Sequence, residues 1–304
     1  NKRKYRIGLI FSIFILCFCF SLTFAFSQEF PSDYVSRILT ASEGLPGNTI
    51  TDLIQDDKGY IYIGTYDGLV RYDGFEFTVL NKNTVKAFDC VSARCVFEDS
   101  KGRIWVGSND EGVVKIEKNV VTMYTTKDGL PNNSIRDITE DKEGNIWFGT
   151  AAGVVFLNKD NKFVTPKGLQ EHSSDKDVSV HLYCDTAGRI WLTTSRVGGI
   201  FYYSSGKFEK YTLLDSLGDI TVTCITQEAN GSFWFGLGLN GAIRVEDGEI
   251  QCFNASNGFT NNTVNCIYRD TVNDLWFGTE DGVLLLKDQK WHYYTEAQGL
   301  TSNS

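Results

Sequence analysis

The chain has 304 residues, 42% hydrophobic and 13% aromatic, enough to bury a large core within one domain. Its 29 basic residues stand against 38 acidic ones, a net charge of −9, and so acidic a surface repels phosphate backbones, which argues against nucleic acid as a partner. Any anionic ligand needs a local basic pocket.

Lys2, Arg3, Lys4 and Arg6 open the chain with positive charge, Ile7 to Phe24 is almost continuously apolar, and Ala25-Phe26-Ser27 puts small residues where a signal peptidase reads. Residues 1–27 are therefore expected to be a secretory signal peptide, with an uncleaved membrane anchor as the alternative. Cys17 and Cys19 lack the small residue that precedes a lipidated cysteine. Without residues 1–27 the chain keeps 25 basic and 38 acidic residues, a net charge of −13. The expected location is the periplasm.

Residues 28–304 repeat. Tyr62, Trp105, Trp147, Trp191, Trp234 and Trp276 succeed one another at intervals of 43, 42, 44, 43 and 42 residues, and a unit of this length made of short strands is a β-propeller blade. One unit shows how. Ser134 to Glu140 alternates apolar with polar and ends in the turn Asp141-Lys142-Glu143-Gly144. Asn145 to Thr150 is apolar on both faces, as a strand between two packed sheets should be. Gly153 reverses the chain into Val154 to Leu157, and Asn158 to Asn161 reverses it again into Lys162 to Thr165. The fold class read from this is all-β: a propeller of four-stranded antiparallel blades, six of them complete.

Taken in order, Ser36 to Thr40 reads as an outer strand preceding blade one, because its end and the turn Ala41 to Pro46 match Tyr124 to Pro131. Blade two enters through Asn81 to Asp89 in place of a Gly-Leu-Pro turn. Blade four has a long connector, Pro166 to Val178, and Thr193 where the other blades place glycine; blade five carries Leu237-Gly238-Leu239-Asn240-Gly241. Blade six ends on Trp291 to Thr295, and Gly299-Leu300-Thr301 begins another unit. The expectation is seven blades in a longer protein, with the N-terminal strand completing the last and the ring of six left open.

The strings Asp128-Gly129-Leu130-Pro131-Asn132-Asn133-Ser134-Ile135, Glu140-Asp141, Gly144-Asn145-Ile146-Trp147-Phe148-Gly149-Thr150 and Gly153-Val154 resemble the two-component regulator propeller repeat. The resemblance covers about residues 36 to 304 and is strongest in blades three and six. It implies the extracytoplasmic sensor region of a bacterial hybrid two-component system, built of one or two seven-bladed propellers. An immunoglobulin-like domain, a membrane span and an output domain typically come after it, and members from gut bacteria sense glycan fragments. The implied partner is a small molecule or glycan fragment, with a possible homodimer in the full-length protein. Membrane attachment would come only through a C-terminal region or an uncleaved N-terminal anchor.

Several motifs admit a bolder reading. The Asp-x-x-Gly turn before the aromatics of blades one to four resembles the Asp-box of sialidase propellers, but one carboxylate per turn falls far short of calcium's six or more oxygens, so its expected role is structural. Ten residues before each aromatic stand Asp52, Cys95, Asp137, His181, Cys224 and Cys266, a ring on the strand expected to line the channel. Blades hold such residues apart, whereas zinc gathers ligands at about 2.0–2.3 Å from one point, so no metal is expected. No cofactor motif is present. Cys90, Cys95, Cys184, Cys224, Cys252 and Cys266 sit at scattered strand positions and are expected to be mainly free thiols. No nucleophile elbow or zinc-protease motif occurs, which leaves a sialidase-like or lyase-like enzyme and a protein-interaction propeller as rivals of the sensor. Recognition is expected on the face made by the blade connectors and the turns after the tryptophan strands, with Lys82, Lys86, His172, Arg196 and Asn240 as candidates.

Overall fold

The computed structural model describes residues 38–47, 49–85, 88, 92–169, 181–194, 199–257, 259, 263–298 and 300. Their order mirrors the repeat: six sheets of four antiparallel strands, each sheet made of consecutive strands. In blade three these are Ile135–Glu140, Ile146–Thr150, Gly153–Leu157 and Phe163–Val164. The inner strands of the other blades are Ile50–Gln55, Cys95–Glu98, His181–Cys184, Val222–Gln227 and Val264–Arg269. The helical residues described are four 3-10 turns, and no helix is long and apolar enough to cross a membrane among the described residues. Residues 1–27 lie outside them.

The repeated tryptophans of blades two, three and five pack across to the next blade. Trp105 meets Phe148 at 5.7 Å, Trp147 meets Tyr203 at 4.9 Å, and Trp234 meets Phe277 at 5.1 Å, in edge-on geometries that suit ring quadrupoles better than flat stacking. The acidic turn serves the same ring. Trp147 Nε1 donates to Asp141 Oδ2 at 2.7 Å, and Trp105, Trp191, Trp234 and Trp276 donate in the same way to Asp99, Asp185, Glu228 and Asp270. The carboxylate thus closes its own turn and satisfies a buried indole N–H. A second acid ties blade to blade: Glu140 accepts from Ser100 N at 2.6 Å and Ser100 Oγ at 2.8 Å, and Glu98 accepts from Asp57 N at 3.0 Å. The gathering of Asp56, Asp57 and Glu98 has this origin.

The connectors are capped turns with an apolar plug. Thr125 N donates to Asp128 Oδ2 and Thr295 N to Gln298 Oε1, and Thr40 with Glu43 completes a reciprocal capping box. The plugs Leu45, Leu130 and Phe259 are buried. Blade two, whose connector departs from the repeat, buries Phe88 at the same distance before its aromatic. Residues 38–40 are not strand, contrary to expectation: Thr40 is the N-cap of the turn Ala41–Glu43, and Leu39 and Leu45 pack on Ile63 and Val70 of blade one. Residues 36 and 37 lie outside the described region.

The face of blade one that would meet a preceding blade is incompletely covered. Leu53 is 58% exposed, whereas Ile138, at the same position of blade three, is 4% exposed. On blade six Trp276 is only half-buried, and Tyr268 is 63% exposed. Its own outer strand, Lys290–Tyr294, is fully paired.

Candidate functional site

The inner strands surround a cavity of about 530 Å³, lined from all six blades, within the range of small-molecule pockets, about 300–1,000 Å³. All six residues of the ring, Asp52, Cys95, Asp137, His181, Cys224 and Cys266, line it. In blades two, five and six the glycine two residues after the aromatic makes room for the ring thiol. A Cβ on Gly107, Gly236 or Gly278 would lie 2.5, 2.4 or 2.7 Å from the sulfur of Cys95, Cys224 or Cys266. Blade four has Thr193 there, paired opposite His181.

The carboxylates of this ring are fastened across blade boundaries. Asp52 Oδ2 accepts from Val96 N and Asp137 Oδ2 from Leu182 N, both at 2.7 Å, so each joins its blade to the next. Burial holds Asp52 above the ordinary carboxylate pKa despite those bonds. Asp137 Oδ2 also lies 2.8 Å from His181 Nδ1. Burial pulls the His181 pKa down, but the charge and hydrogen bond of Asp137 outweigh it, and the pKa is raised. His181 Nε2 has no hydrogen-bond partner among the described residues.

Near its mouth the cavity is differently charged. The inner strands of blades one, three, five and six carry a β-bulge near their start, between Ile50 and Asp52, opposite Gly149 and Thr150, between Val222 and Cys224, and between Val264 and Cys266. The bulged residues Thr51, Arg136, Thr223 and Asn265 line the cavity beside the ring, as does Arg94 at the corresponding place of blade two. Arg94 Nη1 donates to Asn109 Oδ1 at 3.2 Å. Tyr66 and Asn109, from the turns after the second strands, complete this rim.

Lys82 and Asn240 are exposed on connectors of the same face and do not line the cavity. Lys86, His172 and Arg196 lie outside the described residues. Arg94 and Arg136 escape the sequence reading because counting back ten residues finds the ring, whereas these two stand eleven before Trp105 and Trp147. Cys95, Cys184, Cys224 and Cys266 are free thiols, and Cys90 lies outside the described residues. Burial pushes Cys224 up to about 12 and Cys184 to about 11, so neither is a ready nucleophile.

Four segments, residues 44–67, 88–110, 129–152 and 258–281, match the model of the two component regulator propeller. These are blades one, two, three and six. No curated protein matches the chain at a significant level. Among solved structures, a streptogramin B lyase superposes with a TM-score of 0.67 at 19% identity, covering 86% of each chain. The virginiamycin B lyase of Staphylococcus aureus gives 0.63 at 20% identity, covering 81% of this chain and 83% of that one. The extracellular domain of the hybrid two component system BT4673 of B. thetaiotaomicron gives 0.53 at 22% identity over 78% of this chain, which spans 37% of that domain. At these identities the likeness is one of fold.

Proposed function

We propose that this chain, a β-propeller carrying the two component regulator propeller repeat, is the ligand-binding sensor region of an exported signalling protein. The observation that carries this reading is the cavity of about 530 Å³ to which all six blades contribute. Its rim is polar and its wall is built of side chains held by the blades themselves, so a ligand there would touch several sheets at once. A small molecule or glycan fragment bound in this way would change how the blades sit together, which is what a sensor must pass to an output domain. The likeness to an extracellular domain of a hybrid two component system supports this assignment and an exported location. Isothermal titration with mono- and disaccharides tests it: binding that saturates and raises the melting temperature is expected, and a panel that leaves the chain unchanged contradicts it.

One observation favours a second reading, a lyase-like enzyme. Asp137 holds His181 at Nδ1 and leaves the buried Nε2 without a hydrogen-bond partner among the described residues, an Asp–His pair of the kind used in general-base chemistry, and two lyases share the fold. The second member of such chemistry, an acid converging on the same atom, is not evident among the described residues. Turnover of any bound ligand would favour the enzyme.

A further inference from the structure

Three arginines of this fold are neutralised within their own blades. Arg103, Arg189 and Arg244 each reach a carboxylate of their own blade, Asp99, Asp185 and Glu228, at 2.5–2.6 Å. Arg94 and Arg136 do not. The Arg136 guanidinium makes no hydrogen bond or ion pair with the described residues, and Arg94 reaches only the neutral Asn109. Both are half-buried at the mouth of one cavity, on adjacent blades. Burial lowers the Arg94 pKa and the like charge of Arg136 lowers it further. Two half-buried guanidinium groups without a carboxylate partner repel each other in the empty channel.

An anion between them removes that cost. Guanidinium forks bind carboxylate and sulfate oxygens in pairs, and a partly desolvated site strengthens the bond. The rest of the wall sets the ligand's other features. Asp52 and Asp137 line the same cavity beside the arginines, which disfavours a second negative charge on the ligand. Tyr66 adds an exposed ring at the rim. A long polyanion is disfavoured by the acidic surface it would have to cross. Resting on the ligand-sensor reading above, we propose that the ligand is a small organic anion, such as a uronic or sulfated sugar, whose charged group is held by Arg94 and Arg136.

The test is titration calorimetry of the full chain with glucuronate, galacturonate and inorganic sulfate, beside glucose and galactose, which keep the ring and lack the charge. The R94Q/R136Q variant is measured in parallel. The wild type should bind at least one anion tenfold or more tightly than the neutral sugars, and R94Q/R136Q should lose that preference while melting as the wild type does without ligand. R94K/R136K, which keeps the charges, should retain part of it and guards against a folding defect in the glutamine variant. Neutral sugars binding as well as the anions would overturn the anion assignment and leave the sensor reading intact. No binding by any probe would overturn both.

Discussion

Trp147 Nε1 lies 2.7 Å from Asp141 Oδ2, and the same carboxylate takes the Asn145 side chain at 2.8 Å while its other oxygen takes Asn145 N at 2.9 Å. One side chain therefore closes the hairpin before the strand and fixes the ring that fills the space to the next blade. This explains why an acid precedes each tryptophan at a constant distance.

Asp141→Ala should accordingly cost about 3 kcal/mol, because it leaves a buried indole N–H and a turn amide without acceptors. Trp147→Ala should cost about 3–5 kcal/mol. In a cycle with Trp147→Phe, which keeps most of the ring and removes the N–H, urea titrations should show coupling of about 1–3 kcal/mol. Additive losses would mean that the hydrogen bond contributes little.

Gly278→Ala should destabilise through overpacking, by about 1–3 kcal/mol, since its Cβ would stand 2.7 Å from Cys266 Sγ. Cys266→Ala removes that sulfur. The double variant should melt well above Gly278→Ala alone, and equal melting would point to the strand backbone instead.

The fold is legible in the sequence because its period, its turn residues and its alternation all agree. The ring at Asp52, Asp137 and His181 is legible from the same count. The basic rim is not: a β-bulge adds one residue without any residue type to mark it, and it turns Arg136 to the channel beside Asp137 instead of away from it. Thr40 reads as strand because a capping box and a strand end both place threonine before a turn. Phe88 escapes notice as a plug because phenylalanine replaces leucine in a connector of different composition.

His181 makes stability depend on pH. Its raised pKa means that its stabilisation is complete below the unfolded histidine value, about 6.5, and is lost as pH rises through the folded value. Asp52, also raised, acts in the same direction at lower pH. The melting temperature should fall across the neutral range as pH rises, and His181→Gln should flatten that slope. A slope unchanged in His181→Gln would assign it to other groups.

Leu53→Asp should shift stability by no more than about 0.5 kcal/mol, whereas Ile138→Asp, at the same position of a covered blade, should unfold the chain or cost more than about 4 kcal/mol. Lower aggregation is expected of Leu53→Asp as well. We further propose that one more repeat, about 40 residues, covers this face. Extending the chain by that length should protect the amides of Ile50–Gln55 from exchange, and unchanged exchange there would argue against it.

A ligand held at the channel mouth is excluded by a bulky side chain placed there. Asn265 lines the cavity, is exposed, and holds in blade six the position that Arg94 and Arg136 hold in blades two and three. Asn265→Trp should leave melting without ligand unchanged and weaken calorimetric binding of the tightest anion at least tenfold. Undiminished binding to the plugged chain would place the ligand elsewhere on the propeller.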